Sequence, residues 1–429
     1  MRKSVIFVVA LIISCLGLSA EAQREHKPVI SNGPISITPV RRLDRMAQLK
    51  FNELRVMDIY VKTYGQADFT DLINRIKSEA GGSPNNIIPV LSLGHGYLNR
   101  YVETGNREDL VRTLDLFQTA ADPEVYGDAP SASAKSSRTS LSWGQTWASS
   151  PTAAYLLIAV ARLRKISAND FALDSRISTL DSRVRVIGRI EADRSRNGNF
   201  PYQPHVSGLP TDGDSKSEEN AWEAMILAWM SQMYPDEPNV AAWEAKGREL
   251  AFYSIVRRNE GVTFNGEPFS TVDDDYTLTN HWVRGNPYYE VGTVQLLRMG
   301  ALAYYMNGQE IPAEFEHGVA GLYGNYKAKC ALDASGRRTW NQTSDPVGDP
   351  TLMPLAGLGD DAFERSLVAQ KAVDGWLWLP TEPVTGKLVI DPEKGLTPGS
   401  SLGTAIQNGK VFWYYLGGSY LWHFPPTRF

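Results

Sequence analysis

Residues 217–258 have the sequence SEENAWEAMILAWMSQMYPDEPNVAAWEAKGRELAFYSIVRR, which predicts two helices joined by a short turn. Apolar residues recur at intervals of about three and four on both sides of Pro235-Asp236-Glu237-Pro238, as expected for helices separated by a breaker. Because the connection is short, the two helices are expected to be antiparallel neighbours. This stretch therefore predicts a helical hairpin.

The same periodicity recurs along most of the chain and predicts an all-α protein built of stacked helical hairpins. Three long loops interrupt it at 122–146, 194–216 and 259–286, and an aromatic-rich segment follows from residue 376. For this segment, 376–429, short strands and a last helix are both open. The predicted helices lie near 43–63, 68–79, 86–104, 107–120, 147–165, 174–193, 217–234, 239–258, 287–307 and 311–328.

Two helix starts have residues suited to that position. Ser217 is expected to cap the helix whose first turn contains Glu218 and Glu219, because carboxylates suit the positive end of a helix. Asn286 and Pro287 have the same relation to the long helix 287–307, since proline is favoured in a first turn.

Composition and charge indicate a folded protein and exclude some partners. The chain has 429 residues, of which 42% are hydrophobic and 21% charged, so it can bury a large core. Its formal net charge of −5 argues against nucleic acid as a partner, because a phosphate binder normally has a basic excess.

The N-terminal residues are typical of a secretory signal. Arg2 and Lys3 precede an apolar run, and Ala20-Glu21-Ala22 has small residues at the positions that a signal peptidase recognises. We expect cleavage after Ala22, a secreted or periplasmic protein, and no membrane span, since the run is shorter than the roughly 20 residues a span needs. In an alternative interpretation Cys15 ends a lipobox and becomes a lipid anchor. We expect the remaining chain to divide into a helical domain, 23–375, and the aromatic segment, 376–429.

Residues 275–296, DYTLTNHWVRGNPYYEVGTVQL, place His281 seven and eight residues before Tyr288 and Tyr289, with Arg284 between them. This stretch resembles the catalytic segment of toroidal polysaccharide lyases of the chondroitin, hyaluronate, alginate and glucuronan type. Residues 217–222, SEENAW, resemble the helix start on which those families carry a catalytic asparagine. The resemblance implies an (α/α) toroid, or incomplete barrel, and cleavage of a uronate polysaccharide. Since no large C-terminal array of strands is visible, the short alginate or glucuronan lyase type is nearer.

The chemistry of β-elimination gives these residue types their roles. A lyase removes the proton beside a uronate carboxylate, so that carboxylate must first be neutralised. Asn220 can donate hydrogen bonds to it from a helix start, where the dipole also favours an anion. Tyr289 or Tyr288 can act as the base if a neighbouring cation lowers its pKa from about 10, and Arg284 could supply that charge. His281 would share in the proton transfer.

Further residues beside the predicted loops are candidates for sugar binding, although the core can also accommodate aromatic residues. The candidate substrate-binding residues are Glu219, Gln145, Trp147, His205, Trp222 and Trp282. Trp143, Trp340 and Arg196 are secondary candidates. We expect no cofactor and no metal, because no pair of histidines or cysteines has ligand spacing and the Asp273–Asp275 run lacks the alternation of a calcium loop.

Two other functions remain open. A toroidal glycoside hydrolase would need two carboxyl groups across the scissile bond, and Glu219 with Asp275, or their neighbours Glu218 and Asp274, could supply them. A non-catalytic glycan-binding protein would need aromatic and polar groups but no residue with a shifted pKa. In the preferred interpretation the protein is a monomer, and its partner is an anionic polysaccharide or oligosaccharide.

Overall fold

The computed structural model describes residues 88–123, 143–144, 149–166, 170–197, 214–280, 283–332, 334, 338–340 and 363. The predicted signal peptide with Cys15, the first two predicted helices and the aromatic C-terminal segment lie outside these residues.

Helices dominate the described part of the chain, which confirms the all-α prediction. They are α1 (Ile88–Thr104), α2 (Arg107–Ala120), α3 (Ser149–Leu163), α4 (Phe171–Arg196), α5 (Ser217–Met233), α6 (Val240–Ser254), α7 (Pro287–Met306) and α8 (Val319–Ala328). Among these, no helix is long and apolar enough to cross a membrane.

Three short antiparallel ribbons accompany the helices in the described residues, and two of them lie in the predicted loop 259–286. Their strands are β1 (Thr263–Phe264), β2 (Glu267–Pro268), β3 (Thr279–Asn280), β4 (Val283–Arg284), β5 (Cys330–Leu332) and β6 (Arg338–Trp340). The predicted loop 259–286 thus contains two hairpins, β1–β2 and β3–β4. Runs of two residues are too short to give a visible alternation in the sequence.

Helix α5 lies at the centre of the described fold. It packs against α6 and α7, and also against α3 and α4, while α1 packs against α2. Nearly every side chain of α5 is buried, including the indole of Trp229, which donates to the carbonyl of Met299 in α7 at 3.0 Å. A helix that is buried on all faces must belong to a core, and here that core fixes the first turn of α5.

A buried ionic cluster joins α5 to α3 and α4. Arg194 in α4 donates to both oxygens of Glu223 in α5, at 2.7 and 2.9 Å, and to Glu191 at 3.2 Å. Ser149 and Ser150 at the start of α3 also bond to these carboxylates. Because every charge in this cluster has a partner, it fixes the relative placement of the three helices.

The helix predicted at 311–328 is wrong as a single element. A short 3-10 turn, Ala313–Phe315, comes first, and α8 begins only at Val319. The break falls at Gly318, whose φ of +68° lies in the left-handed region. A Cβ at this position would lie 2.4 Å from Cγ2 of Ile255, so both the backbone and the close approach require glycine.

We expect Gly318→Ala to destabilise the protein by about 1–3 kcal/mol more than Gly308→Ala. Both glycines have left-handed φ values, of +68° and +70°, so both variants bear the same backbone cost. Only at Gly318 would the new methyl group meet another side chain, since nothing lies within 4 Å of a Cβ at Gly308. Urea unfolding of the two variants measures the difference, and equal losses would contradict the close approach to Ile255.

Candidate functional site

The first turn of α5 is set by an unusual start. Lys216 precedes the helix with φ at +57°, and the hydroxyl of Ser217 donates to the carbonyl of Ser254 at the end of α6. The predicted N-cap role of Ser217 is therefore wrong, because its hydroxyl anchors α5 on α6 and bonds no amide of the first turn. Glu218 and Glu219 occupy that turn as predicted.

Asn220 follows in the same turn, and its amide is buried. The residue is 1% exposed, and neither Oδ1 nor Nδ2 has a hydrogen-bond partner among the described residues. A buried polar group without a partner costs about 1–3 kcal/mol. Side chains kept at such a cost are typical of groups that bond a ligand. The amide also stands at the positive end of a helix, which favours an anion.

Glu218 is a buried carboxyl held by two donors from different elements. The indole of Trp222 donates to Oε1 at 3.3 Å, and the amide of Asn280 on β3 donates to Oε2 at 3.1 Å. Burial, reinforced by the charges of Glu219 and Asp214, raises the pKa of Glu218 to about 8. The raised pKa favours the protonated form of Glu218 at neutral pH, and in that form the carboxyl group can itself donate a hydrogen bond.

Glu219, by contrast, pairs with a lysine. Its Oε1 accepts from Nζ of Lys216 at 3.0 Å, and the same ammonium pairs with Asp214. Glu219 and Glu218 are adjacent in sequence, yet one faces a cation and the other faces amide and indole donors. Two carboxyl groups in a single helical turn thus have different surroundings.

Tyr289 in the first turn of α7 belongs to the same neighbourhood. Its side chain is 8% exposed, and burial followed by the charges of Glu218, Glu219 and Asp214 raises the pKa of its phenol. The expectation that Arg284 lowers this pKa is wrong. Arg284 is 44% exposed and donates to Asp273 at 2.8 Å, because it lies on β4, opposite Thr279.

The structure describes other predicted residues, among them Trp143, Trp222 and Asp275. Trp143 is buried in the core, and Trp222 is half-buried against Glu218. Oδ1 of Asp275 accepts the amide of Thr277 at 2.9 Å, and although burial opposes it, bonding to Thr277 lowers the pKa of Asp275. Asp275 is therefore an anion in a local turn. Predicted site residues outside the described part are His281, Trp282, Gln145, Trp147 and His205, and for Tyr288 and Trp340 only the backbone is described.

Sequence reasoning missed two groups of this neighbourhood as site residues. Asn280 is fully buried and donates to Glu218. Its position next to His281 in the sequence could have marked it as a site residue. Asp214 raises the pKa of both Glu218 and Tyr289, but nothing in the sequence marks it. In the described ranges, no group of three His, Cys, Asp or Glu side chains is arranged to hold a metal ion.

The pKa of Glu218 predicts a pH-dependent contribution to stability. Since the pKa is raised in the folded state, the native protein binds more protons than the unfolded chain, and stability falls as pH rises from about 4.5 to about 8. Each pKa unit corresponds to about 1.4 kcal/mol. We expect Glu218→Gln to be more stable than the wild type at about pH 8 by at least about 1 kcal/mol, and to lose this advantage near pH 5.

Thermal unfolding across that pH range measures the effect. Glu249→Gln is the matched control, because Glu249 is 41% exposed and pairs with Lys246 on the surface of α6. A difference between Glu218→Gln and the wild type that stays constant with pH would show that Glu218 does not titrate in this range.

Comparisons of the chain with protein-family models, with curated proteins and with solved structures gave no match.

Proposed function

We propose that this protein is a polysaccharide lyase that cleaves a uronic-acid-containing polysaccharide by β-elimination. The observation that carries the proposal is the amide of Asn220, which is buried, has no partner in the described residues and lies in the first turn of α5. An amide donor and a helix N-terminus together suit a carboxylate whose negative charge grows as the neighbouring proton is removed.

The raised pKa of Tyr289 supports a mechanism in which two different residues carry out the two proton transfers of the elimination. Because the raised pKa keeps the phenol protonated at neutral pH, we assign Tyr289 the role of protonating the glycosidic oxygen as its bond to carbon breaks. His281 then serves as the base that takes the proton beside the carboxylate. The electron pair of that C–H bond forms the new double bond, and the leaving sugar departs as an alcohol.

We also propose that the helical hairpins close into an (α/α) toroid and that the substrate lies where α5 and α7 begin. In support, the first turns of these two helices carry Asn220 and Tyr289, and the helices pack against each other. The proposal further makes the protein a secreted or periplasmic monomer that acts on an anionic polysaccharide or oligosaccharide.

Incubation with a panel of uronate polysaccharides tests the reaction. A lyase creates an unsaturated uronate that absorbs in the ultraviolet, whereas a hydrolase creates reducing ends without that absorbance. An increase in absorbance on at least one polymer is the expected result. Reducing ends alone would replace the lyase by a hydrolase.

Glycoside hydrolysis is the second candidate, and one observation favours it. Glu218 has the raised pKa that a general acid needs, whereas Glu219 pairs with Lys216, and bonding to Thr277 lowers the pKa of Asp275 although burial opposes it. A hydrolase would therefore use Glu218 as its acid, with Glu219 or Asp275 as its base. In that case Glu218→Gln would abolish the release of reducing ends, while Tyr289→Phe would leave it largely intact.

A further inference from the structure

The hairpin β3–β4 has little to stabilise it by itself. Asn280 pairs with Val283, Thr279 pairs with Arg284, and the amide of Gly285 closes the base by donating to the carbonyl of Leu278 at 2.7 Å. A two-stranded hairpin is marginally stable in water even when it is longer than this. The position of Asn280 therefore depends on contacts with other elements, which include the amide of Ser215 bonding to the carbonyl of Thr279 and the contacts at the base of the hairpin.

Glu290 and Lys329 bond to both ends of that base. Oε1 of Glu290 accepts the amide of Leu278 at 3.4 Å, and Nζ of Lys329 donates to the carbonyl of Gly285 at 3.1 Å. The two side chains also form an ion pair with each other. One salt bridge thus connects the incoming strand, the outgoing strand and the first turn of α7.

The pair lies in the interior, where its geometry matters most. Glu290 is fully buried, and the side chain of Lys329 is 11% exposed. Asn325 adds a third contact, since its amide donates to Oε1 of Glu290 at 3.2 Å and to the carbonyl of Tyr276 at 3.0 Å. Three donors converge on one carboxylate oxygen, so the hairpin base is fixed in position as well as held in contact.

Glu290 is also the residue after Tyr289. Adjacent helical residues point about 100° apart, so one residue can face the hairpin while the other faces Glu218. Asn280, on strand β3 of the hairpin, donates to Oε2 of Glu218 at 3.1 Å. The Glu290–Lys329 pair therefore connects the two elements that bring Asn280 and Tyr289 to the first turn of α5.

We propose that Glu290 and Lys329 are positioning residues that fix the base of the β3–β4 hairpin to the first turn of α7, and so set the position of Asn280 against Glu218 and of Tyr289 within that turn. In its catalytic consequence this inference rests on the proposed function. The pair acts through the hairpin and is not expected to touch the substrate. A displacement of about 1 Å in such a site can lower the rate by about 10².

Lys329→Met tests the proposal by removing the ammonium while keeping a side chain of similar length. Because this variant leaves Glu290 buried without its cation, the double variant Glu290→Gln, Lys329→Met is the second arm, in which both charges of this pair are removed. Lys329→Arg is the conservative variant. Lys246→Met is the matched control, since it removes a lysine charge that pairs with Glu249 within α6.

Two measurements separate the structural part of the proposal, the fixing of the hairpin, from its catalytic part, the positioning of site residues. Amide hydrogen exchange of the peptide 276–286 is expected to become at least about tenfold faster in Lys329→Met and in the double variant, with recovery in Lys329→Arg and no change in Lys246→Met. On an accepted polysaccharide, kcat is expected to fall about tenfold or more while KM changes little.

The results distinguish failure of this proposal from failure of the proposed function. Unchanged exchange in both variants would overturn the fixing of the hairpin. Faster exchange with an unchanged kcat, or a loss seen only in KM, would overturn the positioning role. If the wild type forms no unsaturated product from any polymer, the proposed function fails, and the exchange measurement alone decides whether the pair fixes the hairpin.

Discussion

Replacement of Tyr289 by phenylalanine is expected to lower turnover on an accepted uronate polysaccharide by about 10² or more. The variant keeps the ring, which is buried at the start of α7, and removes only the hydroxyl. Burial and the charges of Glu218, Glu219 and Asp214 keep that hydroxyl protonated, so its loss would remove the proton donor of the proposed elimination. Initial rates of ultraviolet absorbance measure the change.

Tyr305→Phe is the matched control, since Tyr305 lies in the same helix but is 44% exposed. It removes an identical hydroxyl away from the buried cluster and is expected to leave turnover unchanged. Near-normal activity in both Tyr289→Phe and Tyr288→Phe would show that neither tyrosine transfers the proton.

The direction in which the pKa of Tyr289 shifts could not be predicted from the sequence. Arg284 is five residues from Tyr289 in the chain, which suggested a cation beside a phenol. In the β3–β4 hairpin Arg284 instead donates to Asp273. The carboxyl groups that act on Tyr289 belong to Glu218 and Glu219 in α5 and to Asp214. The sign of the shift depends on contacts that cross from one element to another.

The helices were more predictable than their ends. Hydrophobic periodicity is repeated over several turns, so α5 and α6 are visible in the sequence, together with the breaker between them. A single residue decides where a helix begins. The wrong predictions about the cap of α5 and about the helix 311–328 are both of this kind. Ser217 bonds α6 although it has the residue type of an N-cap, and Gly318 divides a periodic stretch.

The candidate site was only partly predictable, for the same reason. Asn220, Glu218 and Glu219 share one turn of α5, so their proximity follows from the sequence. Asn280 reaches Glu218 across 62 positions, and Lys329 reaches Glu290 across 39. Such contacts are set by the packing of α5, α7 and the hairpin, and local sequence patterns contain no record of that packing.

Asn220→Ala is expected to reduce kcat by about 10² to 10³, the usual loss when one donor to a developing negative charge is removed. The same change should leave the free energy of unfolding equal to that of the wild type or higher. Its amide is buried without a partner in the described residues, so its removal deletes a group that costs about 1–3 kcal/mol to bury.

Asn239→Ala provides the opposite pattern as a control. The amide of Asn239 donates to Asp193 at 2.8 Å, so this variant loses a bond and about 1 kcal/mol of stability while activity is retained. Kinetics and urea unfolding of the two variants, measured side by side, separate a functional amide from a structural one. If Asn220→Ala lost stability and kept its activity, Asn220 would have a bonded structural role, and the carboxylate-binding role that the lyase requires would be removed from this turn of α5.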